Sequence, residues 1–153
     1  MARRIRKTPE KIVQGLRTFL ILVFTAGTLV TLAELLLLRH TEAFWQLVPV
    51  VMLVLSLVML AWYGLAKSKS SLESFRVVMW AFLLSGVFGF VNHFRANMRF
   101  EQELTPGLDG LDLYWRSLQG VNPALAPGTM IFLGLLGLAF CYHHPLLLGK
   151  TRK

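Results

Sequence analysis

The sequence predicts an all-α integral membrane bundle of four transmembrane helices, with a short amphipathic helix in its outer loop. Three observations lead there. Of 153 residues, 55% are hydrophobic and only 16% charged, whereas soluble domains carry about 25% charge. The mean hydropathy is +0.57, and the apolar residues come in blocks too long for a soluble core. The 16 Lys and Arg lie almost wholly between or outside those blocks. A soluble enzyme, a disordered tail and a disulfide-stapled secreted domain all fit this composition poorly, and the lone Cys141 has no partner for an internal disulfide.

A hydrocarbon layer about 30 Å thick needs about 20 apolar helical residues to cross it. Four segments reach that length: 19–38, 44–65, 75–94 and 129–148. Each is apolar around its whole circumference, as a helix in lipid should be. The connection between the first two is short, which makes those helices antiparallel neighbours. A Ser/Lys turn, Lys67 to Ser71, joins the second and third. The first segment has a basic leader, but it is about twice as long as a signal-peptide core and no small-x-small site follows it, so it reads as an uncleaved anchor. The whole chain, 1–153, forms a single domain.

Charge orients the bundle. Arg3, Arg4, Arg6, Lys7, Lys11 and Arg17 precede the first span, Lys67, Lys69 and Arg76 lie between the second and third, and Lys150, Arg152 and Lys153 end the chain. Arg39, Arg95, Arg99 and Arg116 fall on the other side, with six of the eight acids. The positive-inside rule therefore predicts a multi-pass plasma (inner) membrane protein with cytoplasmic N- and C-termini. Because the net charge of +8 sits beside the membrane, it matches anionic lipid and not nucleic acid.

The outer loop, 97–128, is the one soluble stretch with room for structure. Thr105-Pro106-Gly107 and Pro123 to Gly128 are breakers on either side. Between them Leu108, Leu111, Trp115 and Leu118 recur at helical spacing, predicting an interfacial helix with Tyr114 and Trp115 at headgroup level.

Polar residues inside a membrane are costly and mark candidate sites. Gly27, Thr31 and Glu34 share one face of the first span; Gly86, Gly89, His93 and Asn97 share one face of the third; Gly134, Gly137, Cys141 and His144 share one face of the fourth. Small residues allow close helix approach in lipid, so Gly27, Gly86, Gly89, Gly134 and Gly137 are expected helix-packing positions, serving contacts within the chain or between copies. Depth gathers Glu34, His40, His93, Arg95, Asn97 and Arg99 at the outer boundary. Glu34, His93, Arg95, Asn97 and Arg99 form the candidate ligand-binding set. The competing reading has Glu34 pair with His93 or an arginine, locking span one to span three, and Arg99–Glu103 has the spacing of a helix ion pair.

His143 and His144 lie towards the inner end of span four, about 20 Å from the outer cluster at helical rise, so the four histidines cannot share one metal. Cys141 and His144 share a face and are soft-metal donors, yet two ligands from one helix make no site by themselves. No metal centre is expected. His40 and His93 as axial ligands of a b-type haem is the remaining cofactor option, against which stands the short loop that carries His40.

Catalytic motifs are missing: no phosphate loop, no HExxH, no CxxC and no GxSxG. The run from His93 to Glu101 carries Arg, Asn and Glu, as do four-span eicosanoid and glutathione enzymes, but on a different span, and vitamin K epoxide reductase-like proteins need a second cysteine. The sequence thus predicts a non-catalytic accessory protein or small subunit of a membrane complex. Its partners are the lipid bilayer and a larger membrane protein or further copies of itself. The alternative is a transport component or membrane enzyme that binds a small ligand or ion through the outer cluster.

Overall fold

The computed structural model describes residues 8–149, and every element among them is helical. In order these are α1 (Pro9–Leu37), α2 (Phe44–Ala66), α3 (Lys69–Leu104), α4 (Gly110–Gln119) and α5 (Gly128–Cys141). Seven of the residues expected to orient the chain, Arg3, Arg4, Arg6, Lys7, Lys150, Arg152 and Lys153, lie outside the described residues. Three helices, α1, α2 and α3, are long and apolar enough to cross a membrane.

Helices α1 and α3 outrun their apolar stretches. The apolar run marks only the stretch suited to an apolar medium, while helix propensity and capping extend the element. At α1, Pro9 occupies the first turn, where its missing N–H costs nothing, and Glu10 faces the positive end of the helix dipole. At α3, the Ser68 hydroxyl accepts the Ser71 N–H at 3.2 Å, a cap of the usual kind, and Lys69 pairs with Glu73 at 3.7 Å. The result is a helix of 36 residues, about 54 Å long at 1.5 Å per residue.

Helix ends are set by local chemistry. Beyond α1, Arg39 adopts φ 51°, its N–H donates to the Leu36 carbonyl at 3.1 Å, and the His40 N–H donates to the Leu35 carbonyl at 2.8 Å. This pair of bonds is a Schellman motif, formed here without glycine. At the start of α2, the Gln46 Oε1 accepts the N–H groups of Glu42 and Ala43 at 3.0 and 3.1 Å, half of a capping box.

The fourth predicted span, 129–148, is helical only from Gly128 to Cys141. These 14 residues rise about 21 Å, short of a hydrocarbon layer of about 30 Å. The stop follows from Pro145, whose ring in a continuing helix would collide with the carbonyl four residues back, that of Cys141. His143 instead turns at φ 47°, and Leu146 and Leu147 fold back onto the core.

Helix α3 is central, packing on α2, α4 and α5, while α1 lies against α2 and α5. The core between them holds Phe24, Leu53, Leu72, Phe75, Met79, Phe82, Leu133 and Phe140. Phe24 meets Phe75 edge-on at 5.4 Å, a geometry that suits the ring quadrupoles. Glycine sets the closest approaches. A Cβ on Gly134 would lie 2.9 Å from the Met79 carbonyl oxygen, one on Gly27 would lie 2.9 Å from Leu133, and one on Gly137 would collide with the Met79 side chain. Gly86 and Gly89 face Ile131 and Pro127 in the same way. All five glycines thus abut residues of the same chain. Only 11% of the most apolar stretch of α1, and 11% of that of α2, is buried, so most of their apolar surface is left for a surrounding apolar medium.

Candidate functional site

At the end of the bundle where α1 finishes and α2 begins, four segments fail to meet. They enclose a cavity of about 660 Å³, within the usual range for small-molecule sites, about 300–1,000 Å³. Helix α1 contributes Thr31, Glu34 and Leu35; its loop adds Leu38 and His40; α2 adds Trp45, Gln46, Val48 and Pro49. The wall from α3 is Ser85, Phe88, Gly89, Asn92 and His93, and the segment from Asn122 to Met130 closes the remaining side.

The local chemistry of each element explains why polar groups arrive there. The Schellman turn at Arg39 carries His40 over the mouth. Gln46 spends its side-chain oxygen on the α2 cap, leaving its amide nitrogen as the end still free to donate. Pro49 lacks the N–H that would bond the Trp45 carbonyl, and both residues line the cavity. Gly89 presents no side chain to the cavity and lets α3 approach Pro127, where a Cβ would lie 2.9 Å from the ring.

The polar groups of the cavity are poorly spent within the protein. The His93 Nδ1 is buried and has no hydrogen-bond partner, unlike the great majority of buried polar atoms. Glu34 is exposed, and among the described residues it makes neither an ion pair nor a side-chain hydrogen bond. The lock between Glu34 and His93 or an arginine is therefore not formed among the described residues, where the ion pair is Lys69–Glu73; Arg99 and Glu103, one turn apart, do not pair either. Burial, and secondarily the nearby His93, hold the His40 imidazole below its ordinary value of 6.5.

The candidate ligand set is split three ways. Glu34 and His93 line the main cavity. Arg95 and Arg99 line a smaller recess of about 340 Å³ with Ala96. The two spaces share Trp45, Phe88 and Asn92 as walls. Asn97 is elsewhere, fully buried and saturated. Its Nδ2 donates to the carbonyls of Ser117 and Asn122 at 2.8 and 2.7 Å, and its Oδ1 accepts the Asn122 N–H at 3.0 Å and the Asn122 side-chain amide at 3.1 Å. Asn97 thus ties α4 and the loop after it to α3.

Asn92, Gln46 and Trp45 escaped the sequence reading. Asn92 carried a usable signal, an amide inside a predicted span, one turn beyond Phe88 and one turn before Arg95 and Ala96. Gln46 and Trp45 carried none, since an interfacial tryptophan and a capping glutamine are ordinary at a helix start.

At the opposite end, Cys141 and His144 do not converge with other donors; among the described residues no three His, Cys, Asp or Glu side chains gather as metal ligands would. The Leu146 N–H donates to His144 Nδ1 at 3.3 Å, so Nε2 carries the proton and donates to the Tyr63 hydroxyl at 3.2 Å. Both ring nitrogens are engaged, and Arg17 fastens the same tail to α1 by donating to the His143 carbonyl at 2.9 Å.

Helix α4 turns Leu113 and Ser117 inward, while Leu111 and Trp115 stay 85% and 63% exposed. Its Tyr114 stacks on Phe94 with the rings 3° from parallel. The face predicted to be apolar points away from the rest of the protein. Compared with models of known protein families, with curated proteins and with solved structures, the chain matches none.

Proposed function

We propose that this chain is a multi-pass plasma-membrane protein that crosses the bilayer four times, both termini cytoplasmic, and binds a small polar-headed molecule at its outer end. Three crossings rest on α1, α2 and α3; the fourth rests on α5 together with the turns before and after it, which lengthen its path beyond the helix itself. In this reading the single domain 1–153 acts as a ligand-binding or transport component. The observation that carries it is a cavity of about 660 Å³ lined by His93, whose buried Nδ1 has no partner, and by an unpaired Glu34. A structural lock would have closed that space and satisfied both groups.

Native mass spectrometry from mild detergent tests this. Ser85 lines the cavity and is half-buried, so Ser85→Phe fills it. The wild type is expected to retain a non-covalent small-molecule adduct that the folded Ser85→Phe protein has lost. An adduct-free wild type, or one whose adducts are the same in Ser85→Phe, would overturn the reading.

A second reading, an accessory subunit docked on a larger membrane protein or on further copies of itself, is favoured by the exposed apolar residues of α4 and the loop after it, Leu111 and Trp115 on the helix and Val121 and Leu125 beyond it. It predicts a larger particle in native membranes that Trp115→Ser would release.

A further inference from the structure

Arg95 and Arg99 stand one turn apart on α3, both exposed, and the described residues offer neither an ion-pair partner. Side chains four residues apart share a helix face, so the two guanidinium groups converge on one recess, with the Asn92 amide a turn before Arg95 and the rings of Trp45 and Phe88 beside them. Two adjacent guanidinium groups repel unless something anionic lies between them, and their forked donors match phosphate oxygens.

Depth favours a lipid as the source of that phosphate. Between Arg76 and Arg95 the chain has 18 consecutive uncharged residues, so the two arginines lie about 29 Å apart along the helix, close to the hydrocarbon thickness of about 30 Å. With Arg76 at one headgroup layer, Arg95 and Arg99 reach the other. The recess also adjoins the larger cavity across a shared wall of Trp45, Phe88 and Asn92, and the cavity beyond is lined by Leu35, Val48 and Met130.

We propose that Arg95 and Arg99 hold the phosphate of an anionic phospholipid whose glycerol and upper acyl segments reach the adjoining main cavity past the packed Trp45–Phe88 ring pair, whose centroids are 5.1 Å apart. The inference rests on the ligand-cavity reading and gives it a chemical class: an anionic, apolar-bodied molecule drawn from the bilayer. Its polar backbone would meet Asn92 and His93, and Glu34 lies on the far wall, away from the phosphate.

The test uses Trp45 as the reporter. In a protein whose Trp62, Trp80 and Trp115 are replaced by Phe, quenching of Trp45 is compared in vesicles of brominated phosphatidylglycerol and brominated phosphatidylcholine. A lipid-facing arginine contributes about fivefold to anionic-lipid affinity, so phosphatidylglycerol is expected to be preferred by about tenfold or more. Arg95→Gln with Arg99→Gln should bring that preference to near one, while the Lys pair retains much of it. Ser85→Phe should weaken quenching by either lipid. Equal preference in the wild type and the Gln double variant, with Ser85→Phe still effective, overturns the arginine assignment and leaves the cavity reading intact. Quenching unaffected by Ser85→Phe and by the arginine variants overturns both. Loss of the preference on adding millimolar inorganic phosphate would also overturn the lipid assignment, identifying a free anion site. Helical content by circular dichroism confirms that each variant compared is folded.

Discussion

Asn97 and Asn122, 25 residues apart, hold each other by side chain and backbone at once: the Asn97 amide accepts two hydrogen bonds from Asn122 and returns one to its carbonyl, at 2.7–3.1 Å. A fourth bond reaches Ser117. The loop that walls one side of the cavity therefore hangs on a single α3 side chain, packed so closely on Gly120 that a Cβ there would lie 2.5 Å from the Asn97 amide carbon. Replacing Asn97 by Ala strands several buried groups, at a cost of about 3 kcal/mol. Asn97→Asp should be no milder, because it swaps the donor for a second oxygen facing two carbonyls. Thermal unfolding in detergent checks both, and a benign Asp variant would show that the donor half of the amide is dispensable.

Glycine substitutions on α5 separate rigid from yielding neighbours. At Gly134 the obstacle is the backbone oxygen of Met79, whereas at Gly137 it is chiefly the Met79 thioether, a side chain that adapts readily. Gly134→Ala is expected to destabilise by about 2–3 kcal/mol, and Gly137→Ala by less. Gly64→Ala, with nothing within 4 Å, should stabilise α2 slightly, by up to about 1 kcal/mol. The order of melting temperatures decides.

His40 gives the cavity mouth a pH response. Its folded-state pKa lies below 6.5, first because burial disfavours the cation and then because of His93. A lowered histidine pKa means the unfolded chain binds more protons below pH 6.5, so the neutral ring's contribution is complete above that value and is lost as pH falls through the folded pKa. Melting temperature measured from pH 7.5 down to pH 5 should decline, and His40→Gln should make that decline shallower. An unchanged slope in His40→Gln would rule out a role for His40.

The Schellman turn after α1 predicts a gain. Arg39 holds φ 51°, which costs an L-residue about 1 kcal/mol or more. Arg39→Gly removes that strain against a larger loss of chain entropy, leaving an expected net stabilisation of up to about 1 kcal/mol, read as a higher melting temperature with the His40 resonance unmoved.

Much of the framework was legible in the sequence, because helices long and apolar enough to cross a membrane appear as long uninterrupted apolar runs: α2 begins and ends within a residue of its run, and the runs of α1 and α3 lie almost wholly inside their helices. Capping and helix propensity moved the other ends, and Pro145 cut short a run that hydropathy alone carries to Leu148. The glycine faces were visible as periodicity, but that Gly86 and Gly89 meet α5 is a tertiary fact. For the site, helical spacing on α3 put His93 and Asn97 on one face, yet their fates diverge: His93 lines the cavity with its buried Nδ1 unpartnered, while Asn97 is consumed by a loop whose return no local pattern announces. Arg95 and Arg99 separated from Glu34 for a similar reason, since Trp45 and Phe88, ordinary aromatics in sequence, stand between them.

Three described helices end close to a left-handed residue that is not glycine: Arg39 after α1, Lys67 after α2 and His143 after α5. Each carries a cationic or titratable side chain at the point where an apolar helix gives out. The residue that bends the chain is therefore also one whose side chain resists burial in an apolar medium. Conformational ease and the placement of a polar side chain compete for the same three positions, and the sequence resolves that competition in favour of the polar side chain.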